Sequence, residues 1–211
     1  RDRSPSRGLG DVYKRQMLYH APYYSFGINP CCWSKVFKKE LLEQCLYPVT
    51  PKVKIGEDAA FTYPCLLAAE SLAYVDGCLY HYRNNAQSMT AAFDPHLTET
   101  IFIPLDILRT YFDTDKRALF AQYQMYAAYL LQLWVRNQAS LDCDLDRKRM
   151  RQSCARVCQN QELRALLASV PGALPRQVAV AVRAVQQQKP GQLYLLIKAW
   201  NLYYKLRNGR A

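Results

Sequence analysis

From residue 96 to near the end of the chain, apolar residues return every three or four positions, the spacing that gives a helix one buried stripe. Breaks near Asp113, Asp142, Pro171-Gly172 and Pro190-Gly191 divide this stretch into helices expected over 96–112, 116–138, 146–158, 161–169, 174–188 and 192–207. Upstream, the same period places Trp33, Val36, Phe37 and Leu41 on one broad face and predicts a short amphipathic helix over 32–42, broken by Tyr47-Pro48. Another helix is expected to start after Gly56 and run through the alanine-rich segment toward Glu70, with Pro64 kinking it or ending its first turn early.

Between residues 70 and 84 the period changes. Leu72-Ala73-Tyr74-Val75, then Asp76-Gly77, then Cys78-Leu79-Tyr80-His81-Tyr82-Arg83 reads as two short strands around a turn, followed by a polar loop, Asn84 to Thr90. The pattern as a whole predicts an α/β chain, mostly helical, divided into residues 17–94 and a helical region over 95–211. Residues 1–16, RDRSPSRGLGDVYKRQ, are polar and have no packing period. They resemble translated vector or adapter sequence and are set apart as extraneous, which makes the chain a fragment in expectation.

With 211 residues, half of them hydrophobic, a full core is expected. The net charge of +11 suggests nucleic acid until it is partitioned. Residues 1–16 carry five basic and two acidic side chains, residues 17–146 ten and fourteen, and residues 147–211 thirteen and one. The body is mildly acidic and the tail strongly basic. Eight cysteines, including the adjacent Cys31-Cys32, are too dilute in a chain of this length for a disulfide scaffold and read as reduced. Cys154 and Cys158 lie one helical turn apart without a second pair, so packing is their expected role and no metal site is assigned. Apolar runs such as 179–182 and 193–197 are far shorter than the roughly 20 residues a membrane span needs. No signal-peptide pattern opens the chain, and a cytoplasmic location is expected, either free or at the inner face of the membrane.

The candidate chemistry centres on Gly56-Glu57-Asp58. Two acids in a first helical turn are electrostatically at home there, so capping is one reading; a catalytic carboxylate is the other. Trp33-x-Lys35-x-Phe37 with Leu41-Leu42, then Gly56-Glu57-Asp58, then Tyr80-x-Tyr82-Arg83 with Ser88 and Thr90 downstream, form an ordered set over about residues 25–92. In order and spacing this set resembles bacterial family 2 glycosyltransferases.

The resemblance implies a partial GT-A fold, its acceptor-side half with a short hairpin, followed by a helical C-terminal extension. It also implies transfer of a sugar from a nucleotide-sugar donor to a glycan or lipid-linked acceptor in cell-surface polysaccharide synthesis. Such a transfer needs a base for the acceptor hydroxyl and charge stabilisation for the departing nucleoside diphosphate. By resemblance the base is Asp58, with Glu57 beside it as a positioning or acceptor-binding group. Trp33 is either an aromatic platform for a sugar ring or a core residue. Lys35 either steadies an acidic substrate group or is a solvated surface lysine. Arg83 is the candidate for the diphosphate, since guanidinium grips phosphate oxygens bidentately, and Tyr82 and Ser88 assist. The complete enzyme is expected to use Mg²⁺ or Mn²⁺ held by an Asp-x-Asp motif in a nucleotide-binding region absent from this chain. Asp113-Thr114-Asp115 and Asp142-Cys143-Asp144 read instead as helix caps. The chain as given is therefore expected not to turn over.

The last helix mixes Trp200, Tyr203 and Tyr204 with terminal cations, and reads either as a membrane-surface helix or as one docked on its own domain. A rival to the enzyme reading is a non-enzymatic basic helical module that binds membrane or nucleic acid. The chain carries no recognisable nucleic-acid motif, and no nucleic-acid partner is expected.

Overall fold

Proline and small polar residues set most of the element boundaries. The computed structural model describes residues 17–18, 27–45, 51–77, 79–81, 83, 92–112 and 117–208. In chain order a 3-10 turn, Cys32–Ser34, precedes the helices α1 (Lys39–Cys45), α2 (Glu57–Ala68), α3 (Leu97–Thr100) and α4 (Ile103–Arg109). There follow α5 (Arg117–Gln138), α6 (Arg147–Gln159), α7 (Gln161–Leu167), α8 (Arg176–Gln186) and α9 (Pro190–Asn208).

The expected α/β class, a partial GT-A fold with a hairpin, is not what forms. Among the described residues every regular element is a helix, and none belongs to a strand. At the expected hairpin, Gly77 does adopt the turn-like φ of +130°, yet residues 71–76, 79–81 and 83 pair with nothing as a ladder. The reason is energetic: two strands of this length are marginal in water without a third strand or a covering helix. Leu72, Tyr74, Val75, Leu79 and Tyr80 are all exposed, so no such cover meets them.

The expected helix over 32–42 is also replaced. An α-helix would give the Cys31 carbonyl to the Lys35 N–H; here that N–H turns to Cys32 O (3.1 Å), and Cys31 O accepts instead from Lys35 Nζ (2.9 Å) and Ser34 Oγ (3.1 Å). Lys35 is extended (φ −137°, ψ 151°), which ends the turn, and helix resumes only at Lys39. Val36 is consequently fully exposed and not part of a buried face. In α2 the helix continues through Pro64 to Ala68, with Tyr63, Pro64 and Cys65 all buried. The stretch 96–112 breaks once, before Pro104, which sits in the first turn of α4 where a missing N–H costs nothing.

The fold divides into two units, residues 1–86 with 103–123 and residues 87–102 with 124–211. In the first, α2 packs on α1 and α4. Its core holds Met17, Leu18, Ala59, Ala60, Tyr63, Leu105, Leu108 and Phe112. Phe112 stacks on Tyr123 at 5.9 Å, and the Tyr123 hydroxyl donates to Leu105 O (2.6 Å).

In the second unit, α9 packs on both α6 and α8, and α8 also meets α7. Trp134, Leu130, Met150, Cys154, Val157, Val182, Val185, Leu193 and Ile197 are buried there. Several polar groups in this core are matched: Trp134 Nε1 donates to Thr98 Oγ1 (3.0 Å), Gln124 Nε2 to Leu166 O (3.1 Å), and Asn201 Nδ2 to Ala139 O and Ser140 O (3.2 and 3.1 Å), while the buried Gln138 Oε1 has no partner among the described residues. Burial pushes the Cys154 thiol up to about 12 and Cys158 to about 11, so both are neutral packing groups. The described cysteines are free thiols. Among the described residues, no helix is long and apolar enough to cross a membrane.

Candidate functional site

Gly56 makes the entry to α2. It takes the left-handed conformation (φ +89°) that a side chain resists, and its carbonyl accepts from Ala60 N–H (2.9 Å), so Glu57 and Asp58 fall in the first turn, as expected. Both are half-buried.

The next turn of the same helix fixes what lies beside them. Thr62, four residues after Asp58 and therefore on the same face, is fully buried and donates to Pro30 O (2.6 Å). Tyr63 donates to Ile28 O (3.0 Å). These two bonds fasten the segment 28–35 along α2, and Cys32 Sγ closes on Thr62 Oγ1 at 3.7 Å. Cys31, Cys32 and Lys35 thereby come within electrostatic reach of Asp58.

Lys35 is not a free surface cation. Its ammonium donates to Asn29 O, to Cys31 O (2.9 Å) and to Ser34 Oγ (3.0 Å), which uses all three of its donors. Burial lowers its pKa below 10.5, against the opposing pull of Cys31, Cys32 and Asp58. It holds the loop, and its positive field reaches Asp58 through space. Burial pushes the Cys32 thiol up to about 11, with the nearby Asp58 carboxylate adding to the effect, and Cys31 is raised for the same two reasons. At neutral pH these are thiols and not thiolates, which removes them as nucleophiles. Glu57 departs from the simple helix-dipole expectation: burial raises its pKa above 4.5, and the neighbouring Asp58 charge adds to the rise.

Trp33 projects from the same loop with 45 % of its surface exposed and stacks on Tyr80 at 4.5 Å, the rings 22° apart. It is not a core residue; the pair presents an aromatic surface at the edge of the loop. Arg83 is exposed, and among the described residues no ion pair or hydrogen bond joins it to Glu57 or Asp58. Tyr82 and Ser88 lie outside the described residues. So do Asp113 and Asp115, while Asp142 and Asp144 are exposed in the connection between α5 and α6. They do not cap α6: Asp146 does, accepting from Arg149 N–H (2.8 Å). The Mg²⁺ or Mn²⁺ that the resemblance implies finds no holder among the described residues, where no group of three His, Cys, Asp or Glu side chains converges.

Sequence reasoning missed Thr62, Cys32 and Tyr80. The i, i+4 spacing of Asp58 and Thr62 was a readable signal, and Tyr80 already stood in the Tyr80-x-Tyr82-Arg83 motif. The pinning of Cys32 depends on a contact thirty residues away in sequence, which no local pattern carries.

A concavity of about 750 Å³ belongs to the other unit. It is lined by Arg147, Arg151, Lys189, Pro190, Gly191, Gln192, Tyr194 and Leu195, and contains none of the candidate site residues read from the sequence. Comparison of the chain with protein-family profiles, with curated proteins and with solved structures finds no match.

Proposed function

We propose that the first unit supplies the acceptor side of a family 2 glycosyltransferase, with Asp58 as the base. The acceptor hydroxyl gives its proton to the Asp58 carboxylate as its oxygen attacks the anomeric carbon of the donor, and the bond from that carbon to the nucleoside diphosphate breaks. The donor is a nucleotide sugar, and the acceptor is a glycan or lipid-linked glycan of the cell surface. Glu57 positions the acceptor beside Asp58. Trp33, backed by Tyr80, offers a flat face for a sugar ring. Lys35 has its donors committed to two backbone carbonyls and the Ser34 hydroxyl, so its part is to hold the loop in place and to bias the local field. Arg83 keeps its candidacy for the diphosphate on the resemblance alone.

The observation that supports this reading is the fastening of the Trp33 and Lys35 loop to α2 one turn beyond Asp58 by the buried Thr62 bond. A capping acid needs no such partner.

The test is glycan binding by the full chain on an array of bacterial surface saccharides. Retention of a saccharide that falls at least tenfold in Trp33→Ala and persists in Asp58→Asn supports the reading. Absence of any retained glycan, together with a salt-sensitive gel shift of nucleic acid, overturns it in favour of the basic helical module. On the same reading the chain alone is not expected to turn over donor. Calorimetric titration with a nucleoside diphosphate and Mn²⁺ checks this, and tight metal-dependent binding would show that the chain also holds the donor side.

A further inference from the structure

Helix α9 has two apolar faces. Leu193 and Ile197, fully buried, with the half-buried Trp200 and Tyr204, dock on α6 and α8. Leu195, Ala199, Leu202 and Leu206 follow the same i, i+4, i+7, i+11 rhythm but are exposed, the three leucines by 67 %, 57 % and 58 %. At 100° per residue this second stripe points about 180° from the docked one. It runs for about 17 Å along the helix, long enough to form a continuous apolar ridge.

The flank of that ridge is cationic. Tyr194, Lys198 and Lys205 succeed one another along it at helical spacing, with Arg151 Cζ at 5.3 Å and Lys198 Nζ at 5.7 Å from the Tyr194 ring centre. At the start of the helix the ridge opens into the groove lined by Arg147, Arg151 and Lys189, and Leu195 belongs to both. Helices α6, α8 and α9 contain no Asp or Glu; the acids Asp142, Asp144 and Asp146 lie just before α6, where Asp146 pairs with Arg149, and among the described residues no ion pair joins an acid to Arg147, Arg151, Lys189, Lys198 or Lys205.

We propose that this face of the second unit seats on an anionic lipid bilayer, with the leucine ridge in the acyl boundary and the groove taking headgroup phosphates. Charge complementarity selects the occupant. A nucleic acid would meet the cations but leave four aliphatic side chains in water, whereas a second copy of the chain would set one cationic flank against another. An anionic membrane surface meets the ridge and the cations at once, and a two-faced helix parallel to the interface has the right geometry. The proposal is independent of the transferase reading, because none of its residues belongs to the first unit.

The test is flotation of the full chain with vesicles of phosphatidylcholine alone or mixed with phosphatidylserine, at low and high salt. Binding is expected only to the phosphatidylserine vesicles and only at low salt. Arg147→Ala with Arg151→Ala should weaken it roughly 30-fold, taking each cation near the surface at its usual worth. Leu202→Glu with Leu206→Glu, both at solvent-facing positions, should abolish it while leaving the helical circular dichroism unchanged; Asp58→Asn should leave it intact. Equal flotation with both vesicle types would overturn the role of the cations. Failure to float with either type would overturn the proposal outright. So would sedimentation showing a dimer that the Leu202→Glu, Leu206→Glu variant dissolves, since the ridge would then be an interface between copies.

Discussion

The two units use their positive charge in opposite ways. In the first, Lys35 is drawn into a half-buried loop, and its ammonium bonds Asn29 O, Cys31 O and Ser34 Oγ. In the second, Arg147, Arg151, Lys198 and Lys205 are exposed; Arg151 and Lys198 lie over the Tyr194 ring, and Arg147 and Arg151 line the groove. The first arrangement turns a cation into scaffolding, because desolvation must be offset by filling every donor. The second keeps its cations hydrated and ready to be shared with something outside the chain.

The largest expected effect probes the scaffolding. Thr62→Val removes the bond to Pro30 O and strands a carbonyl beside a buried face, and should cost about 2 kcal/mol in urea unfolding. A loss below a few tenths of a kcal/mol would mean that the loop is not held from α2. Next, Lys35→Met should cost about 1–2 kcal/mol, while Lys198→Met should stay within about 0.5 kcal/mol. Equal costs would erase the contrast between the units.

Asp58→Asn should change reactivity more than stability. With burial unchanged and the carboxylate gone, the Cys32 pKa falls from about 11, its thiolate fraction rises, and alkylation by iodoacetamide at mildly alkaline pH should quicken several-fold. An unchanged rate would place Asp58 too far from Cys32 for the site described.

The smallest effect belongs to Glu57. Its folded pKa is raised, so the folded chain holds that proton more tightly than the unfolded one. The resulting stability is full below about pH 4.5 and is lost as pH rises through the raised value. Glu57→Gln should therefore be the less pH-sensitive protein across that window, by under about 1 kcal/mol since the side chain is only half-buried. A parallel pH profile for the two would assign Glu57 to open solvent.

What was legible in the sequence was local. The helices α5 to α9 begin and end within two residues of the expected breaks because proline, glycine and the apolar period act inside one or two turns. Pro190 opens α9 as its first residue, the position where its missing N–H is harmless. What was not legible depended on distant partners. Residues 32–38 follow a helical pattern, yet the Lys35 side chain takes the carbonyl that the helix would need. Residues 72–83 alternate like strands, but a strand pattern is only half of an instruction, and the other half is a neighbouring strand. The acidic pair was legible as an element start, and Thr62 could have been read from its i, i+4 spacing to Asp58; that Cys32 would close on Thr62 and Tyr80 would stack on Trp33 was not, because those contacts span tens of residues.

The exposed residues 71–77 and Leu79 also bear on how the protein survives in a cell. A protease needs exposed backbone outside helices to thread its cleft, and Tyr74 and Leu79, exposed by 75 % and 83 %, are side chains that chymotrypsin favours. Digestion should begin there, well before any helix is nicked, and a first cut after Tyr74 or Leu79 would sever the Trp33 and Asp58 stretch from everything downstream of that cut.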